Sequence, residues 1–275
     1  MKFKILVLTL VIGAFSFAQK KEKIKGNKFV KVKQHQIADF NELNLNGNFE
    51  VYLLKGSTPQ IEIETDENLH EVIQFSITDN GVLSLKTTHQ ITSKKKLNIR
   101  ITVTNSFNSI IISDKAIVNS LIDLDLDKIS IIAKGNSKIY LTLKTTDFKY
   151  TAEKHVKTEL NLTTKKGAIQ LSESTDLEAL INAEELKIDL YQKANAKVEG
   201  EVINLNLRVD NAANYKGQKL TTTNATVITE GSADCDIEVK ETLILEASGS
   251  SKINIYNTPK IDLKKFEDSA SIFKK

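Results

Sequence analysis

The sequence predicts an all-β chain: a right-handed parallel β-solenoid (β-helix) with coils of about 19 residues and an N-terminal β-rich cap. Three observations predict it. First, a short pattern recurs. Gly231-Ser232-Ala233-Asp234-Cys235-Asp236-Ile237 is followed by Gly249-Ser250-Ser251-Lys252-Ile253-Asn254-Ile255, and Gly135-Asn136-Ser137-Lys138-Ile139-Tyr140-Leu141 stands far upstream. Second, helical periodicity is almost absent after Phe107, competing only over Asp176 to Leu190. Third, proline is confined to Pro59 and Pro259, as long uninterrupted strand arrays require.

Each copy has a turn-type residue as its anchor, a small residue two on, and apolar residues four and six on. Weaker copies begin at Asp114, Lys154, Glu173, Ala194, Asn211 and Asp268, so the nine anchors lie 21, 19, 19, 21, 17, 20, 18 and 19 residues apart. Four past the anchors stand Val118, Ile139, Thr158, Leu177, Val198, Tyr215, Cys235, Ile253 and Ile272. Alternation places these side chains on one face of a strand. A unit this short cannot bury that face alone and must stack on its neighbours, at about 4.8 Å per coil, into a rod of about 43 Å. Gly, Asn and Asp at the anchors suit corners, where positive φ is tolerated. The rival, an antiparallel sandwich, requires the spacing to be coincidence.

The elements follow in order. Residues 1–18 read as a signal peptide: Lys2 and Lys4 form the charged start, Ile5 to Phe15 the apolar core, and Ser16-Phe17-Ala18 a cleavage site ahead of Gln19. The apolar run is too short for an ordinary transmembrane helix, no Cys follows it for a lipoprotein anchor, and no later segment is apolar enough to span a membrane. Residues 19–37 are Lys-rich and read as a flexible lead-in. Residues 38–275 read as one solenoid domain, with capping strands over 38–105 and repeated coils over 106–275. In the cap, Leu43, Leu45, Phe49, Val51 and Leu53 alternate across Gly47, and Ile61-Glu62-Ile63-Glu64 is a strand. Asp66 to Ile73 holds one short helix at most. A hairpin turns at Asp79-Asn80-Gly81, and Leu97, Ile99, Ile101 and Val103 form a further strand. Lys264-Lys265 and Lys274-Lys275 blunt edge pairing at the far end.

Composition excludes several functions. The chain has 38 Lys+Arg and 35 Asp+Glu, and the leader holds two of the Lys and no acid. The remaining near-neutral balance gives no electrostatic case for nucleic acid or an anionic membrane. Arg100 and Arg208 are the only arginines, so bidentate anion recognition has few candidates. Cys235 is alone, forms no internal disulfide, and sits in the inward register as a small buried hydrophobe.

Phe40-Asn41-Glu42-Leu43-Asn44-Leu45-Asn46-Gly47-Asn48-Phe49-Glu50-Val51-Tyr52-Leu53 resembles the opening of the head GIN domain family. So do Gly81-Val82-Leu83-Ser84-Leu85-Lys86 and the Gly-Ser/Asn-Ser/Ala coils, over roughly residues 38 to 257. The resemblance implies a secreted Bacteroidetes β-solenoid of the autotransporter adhesin-head type, with no catalytic residues to carry over. Members commonly place Gly at more corners, so Lys154, Glu173 and Ala194 depart from the family and predict less regular middle coils.

The search for chemistry finds little. His35, His70, His89 and His155 are scattered, with no metal-ligand spacing. No phosphate-binding loop and no nucleophile elbow occur, so no cofactor is expected. Asp123, Asp125 and Asp127 put three carboxylates on one strand face, a weak candidate for Ca²⁺ beside the reading as a solvated face. Sugar binders present aromatic platforms, and with no Trp the candidate surface contacts are Tyr140, Tyr150, Tyr191 and Tyr256. The expected function is an exported, non-enzymatic adhesin-like or envelope-associated binding protein, in the periplasm, at the cell surface or secreted. Its expected partner is a protein or glycan of the envelope. The alternatives are a polysaccharide-active enzyme on the same fold, which needs two carboxylates about 5–10 Å apart in a groove with one buried, and a self-associating homo-oligomeric module.

Overall fold

The computed structural model describes residues 21–275; the expected signal peptide lies outside them. In chain order the first strands are β1 (Lys23–Lys25), β2 (Val30–Gln36), β3 (Glu42–Gly47), β4 (Glu50–Lys55), β5 (Gln60–Asp66), β6 (Ile73–Ile77), β7 (Val82–Thr87), β8 (Gln90–Ser93) and β9 (Leu97–Val103), with one 3-10 turn at Glu67–Leu69. Then come β10 (Ser109–Asp114), β11 (Ile117–Ser120), β12 (Leu124–Asp125) and β13 (Lys128–Ala133). Six long strands follow: β14 (Lys138–Ala152), β15 (Lys157–Leu171), β16 (Asp176–Leu190), β17 (Asn195–Val209), β18 (Asn214–Thr229) and β19 (Asp234–Ala247). The chain closes with β20 (Lys252–Tyr256), β21 (Lys260–Phe266) and β22 (Ser271–Lys274). Apart from a β1–β8 strap, all belong to one 20-stranded sheet, wound as a parallel solenoid.

The winding follows from alternation and one interruption of it. In β14 the buried residues are every second one until Thr146-Asp147, where two exposed residues stand in succession and the parity flips. The same happens at Lys165-Lys166, Glu184-Glu185 and Ile203-Asn204. Each long strand therefore bends, and its halves contribute to two faces that enclose the interior. Stacks such as Leu143–Leu162–Ile181 and Tyr150–Ile169–Ile188–Leu207 run through it in parallel register. A fully buried Leu, Ile or Val contributes about 1.5–3 kcal/mol, against about 0–1 kcal/mol for a surface ion pair. The interior, not the charged exterior, holds the coils together.

The corners are a second stack. Asp114, Gly135, Lys154, Glu173, Gln192, Asn211, Gly231, Gly249 and Asp268 all have positive φ. The N–H after each corner donates to the preceding corner's carbonyl, as in His155 N to Gly135 O (2.8 Å), Lys193 N to Glu173 O (3.0 Å) and Ala212 N to Gln192 O (2.8 Å). One expected anchor is thus corrected: the corner is Gln192, not Ala194, and the spacings become 21, 19, 19, 19, 19, 20, 18 and 19. Ala194 is the buried small residue two past the corner. The row four past the corner then holds Ala196, while Val198 stacks on Ala179 in the next inward row. Ala194-Asn195-Ala196 fits the small-residue pattern in two phases, and only backbone conformation separates them. The middle coils expected to be irregular are fully paired, Lys138↔Lys157 through Ala152↔Leu171 and onward to β17. Departures from 19 are bulges: Leu121 and Ile122 protrude as the extra pair in the longest coil, and β18 takes one extra residue between Lys216 and Lys219.

Two further corrections concern the N-terminal region. The lead-in expected to be flexible contains β1 and β2, with β2 paired antiparallel to β5 from Val30↔Asp66 to Gln36↔Gln60. Its alternation was masked because β2 is largely exposed on both sides and lysines, Lys31 and Lys33, stand on the face it shares with Thr65 and Ile63. Residues 42–55, expected within the cap, form a coil: β3 and β4 turn at Gly47 and lie parallel to β10 and β11, with Asp114 against Gly47. The next copy of the corner lies far along the chain because residues 56–106 first pass beneath, where β7 pairs with β3 and β9 with β4. The antiparallel partners β2–β5–β9 and β6–β7 close this end.

Candidate contact face

The residue five past each corner points outward on the first face, and these residues form one continuous row. Across adjacent strands it runs Arg100–Tyr52–Asn119–Tyr140–Glu159–Glu178, then Lys197–Lys216–Asp236–Asn254. Parallel in-register pairing dictates this. Side chains repeat at the strand spacing of about 4.8 Å, a fixed comb of functional groups.

The N-terminal part of the row is internally paired. Glu62 accepts from Gln34 Nε2 (2.8 Å) and from Arg100 Nη1, and these bonds hold its carboxyl below the usual carboxylate range. Tyr52 Oη donates to Glu50 Oε1 at 2.8 Å, and that bond raises its phenol above the ordinary value. The middle part is freer. Glu159 and Glu178 sit on neighbouring coils, both exposed. Lys197 Nζ stands 3.9 Å from Glu178 and 3.8 Å from Glu199. Glu159 has no ion-pair partner among the described residues.

Two shallow depressions adjoin this middle part, of about 510 and 450 Å³, and share Tyr140, Glu159, Glu178 and Lys197. The first is floored by Leu180, which is exposed; Asp176, Asn195 and Lys216 border the second. The combination offers carboxylates, amides and ammonium groups beside an apolar patch, suited to a polar ligand held by many weak bonds. Neither Glu159 nor Glu178 is buried, as one acid of a glycosidase pair is expected to be.

The candidate residues from sequence are scattered by the fold. Tyr140 borders both depressions, half-buried. Tyr191 directly precedes the Gln192 corner and lines neither depression, and Tyr256 ends β20, several coils away; both are half-buried. Tyr150 is not a surface contact. It is 2 % exposed, its hydroxyl is hydrogen-bonded to Thr158 Oγ1, and burial pushes its phenol well up. The parity flip at Thr146-Asp147 turns it inward, where unbroken alternation would have sent it out.

Asp123, Asp125 and Asp127 do share an exposed face, but their carboxylates are spread along it, and among the described residues no three His, Cys, Asp or Glu side chains converge. Alternate positions on a strand stand about 7 Å apart, and Asp127 Oδ1 instead accepts from Thr146 Oγ1 at 2.7 Å. Glu159, Glu178 and Lys197 were missed from sequence. Counting five past each true corner finds them; counting from Ala194 lands on Glu199 and breaks the row.

The family model described as "Putative auto-transporter adhesin, head GIN domain" matches residues 39–179 and 150–259. The chain belongs to the head GIN domain family. The two matches overlap over 150–179, which a repetitive chain permits. Among solved structures, a "putative adhesin" from Parabacteroides merdae is 19% identical, covers 92% of this chain and 99% of its own, and has a TM-score of 0.64. A "putative adhesin" from Parabacteroides distasonis is 15% identical, with coverages of 92% and 98% and a TM-score of 0.60. A "putative lipid binding protein" from the same species is 16% identical, covers 92% and 99%, and has a TM-score of 0.59. At these identities the likeness shows the fold alone. No curated protein matches the chain. Among the described residues no helix is long and apolar enough to cross a membrane.

Proposed function

We propose that the mature chain is an exported, non-enzymatic, adhesin-like binding protein whose first face, around Tyr140, Glu159, Glu178 and Lys197, contacts a glycan or protein of the cell envelope. The observation that carries this reading is the loosely paired middle of the outward row, where Glu159 has no ion-pair partner among the described residues and Lys197 meets Glu178 and Glu199 only at 3.9 and 3.8 Å. A rigid parallel sheet presents it beside two depressions, while the N-terminal part of the row is spent on internal pairs. Membership of a family described as adhesin heads supports the same reading, and the leader read from residues 1–18 supports export. Rigidity matters because groups already held in place lose little entropy on binding.

The test is a glycan and envelope-protein array probed with the mature chain and with a Glu159→Arg/Lys197→Glu double variant. The expected result is a ligand whose binding the variant loses by at least about tenfold at an unchanged melting temperature. Retained binding would place the contact elsewhere. Shortened glycan products would identify the enzymatic alternative.

A further inference from the structure

The two ends of the solenoid are not equivalent. At the N-terminal end, antiparallel strands cover the last parallel coil. At the other end no strand among the described residues does. In β21 the inward positions are Ile261, Leu263 and Phe266, stacked on Leu243, Leu245 and Ala247 of β19. The β19 residues are at most 1 % exposed; those of β21 are 46, 46 and 48 % exposed. All seven β21 residues are exposed, and its only strand partner among the described residues is β19, so these leave one edge of its hydrogen-bonding groups unpaired.

We propose that this end binds a second copy of the same chain, with β21 antiparallel to β21 across a twofold axis between Leu263 and Lys264. The sequence Lys260-Ile261-Asp262-Leu263-Lys264-Lys265-Phe266-Glu267 is complementary to its own reverse. In that register Lys260 faces Glu267 of the second copy, Ile261 faces Phe266, and Asp262 faces Lys265. Each outward cation meets an outward anion and inward apolar residues meet each other; only Leu263 against the bulged Lys264 is mismatched. The ion pairs within one chain, Asp262–Lys264 at 2.7 Å and Lys265–Glu267 at 3.1 Å, hold the same charges on the edge in readiness. Antiparallel pairing continues the ladder and covers the exposed row. Lysines deter an arbitrary strand from this edge but find acids in a twofold-related copy. The arrangement closes as a dimer and does not propagate. The opposite end is capped, and its outer strand carries Lys31 and Lys33, which would meet Lys274 and Lys275 head to tail.

Sedimentation velocity of the mature chain over a concentration series tests this. The expected result is a monomer–dimer equilibrium that Asp262→Lys weakens by about tenfold or more, through two symmetric repulsions. Adding Lys265→Asp in the same chain should restore it, because the swapped charges pair again across the axis. Ile203→Lys, at an exposed apolar residue elsewhere, should leave it unchanged, and far-UV circular dichroism should show every variant folded. A monomer at every concentration overturns the proposal. So does a dimer insensitive to Asp262→Lys, or a loss that Lys265→Asp does not rescue.

Discussion

The Tyr215 ring fills the space that a side chain on Gly217 would need: a Cβ there would lie 2.4 Å from Tyr215 Cε1 and 2.6 Å from its hydroxyl. Both residues face inward from β18. The coil accommodates its largest buried residue by leaving the adjacent inward position empty, with Ala196 small beneath it. Gly217→Ala should therefore destabilise by about 1–3 kcal/mol through overpacking. Denaturant melts of the two proteins measure it.

Tyr215 and Tyr150 should respond oppositely to loss of their hydroxyls. The Tyr215 hydroxyl is buried without a hydrogen-bond partner among the described residues, whereas the Tyr150 hydroxyl pairs with Thr158. Tyr215→Phe removes an unsatisfied polar group and should be neutral or stabilising. Tyr150→Phe strands the Thr158 hydroxyl and should cost about 1–3 kcal/mol. Parallel denaturant titrations distinguish the two.

At the corners, the cost of a side chain depends on what lies beneath. A Cβ on Gly249 would sit 2.5 Å from the Gly231 carbonyl oxygen at φ +72°, so Gly249→Ala should destabilise by at least about 1–2 kcal/mol. Gln192 already bears a side chain at φ 62°. Gln192→Gly should be within about 1 kcal/mol of wild type, since relief of strain offsets the added freedom of the unfolded chain. Thermal melts of both variants test this contrast.

Asp66 ties the N-terminal cap together. Its buried carboxylate accepts from the backbone N–H of Lys28 (3.0 Å), Lys95 (3.1 Å) and Lys96 (3.3 Å). Burial alone would raise its pKa, but these donors together leave it lowered from 3.8. A depressed carboxyl contributes stability above its unfolded value, and that contribution is lost as pH falls through the folded value. Asp66→Asn should cost about 2 kcal/mol at neutral pH, the scale of a charged hydrogen-bonding group. The gap from wild type should narrow below about pH 3.8. Urea melts from neutral pH into acid follow the difference.

Much of this architecture was legible in sequence because one constraint is repeated. Eight of the nine expected anchors are corners, and Cys235 is fully buried, its thiol pushed up by burial and by the neighbouring Asp236 and Asp234. The misreadings share a cause, since alternation says which residues differ in direction but not where the phase resets. The bend at Thr146-Asp147 hid the burial of Tyr150, and Ala194 hid Lys197 from the contact row. The coil at Gly47 was hidden by a detour of the chain, a non-local pairing that no short window contains.

Every assignment of core, groove and edge rests on which side chains point inward, and adjacent residues of one coil test it. Leu162 is fully buried in the stack between Leu143 and Ile181, while Asn161 is exposed on the outer face. Ile253 with Asn254 would be a poorer pair, because Asn254 donates to Asp236 at 2.6 Å and an acid there would face another. Thermal denaturation of Leu162→Asp and Asn161→Asp is the direct measurement. Leu162→Asp should bury an unpaired carboxylate and unfold a domain of ordinary stability, with Asn161→Asp within about 0.5 kcal/mol of wild type. A stable Leu162→Asp protein beside an unfolded Asn161→Asp protein would contradict the register, and the contact face with it.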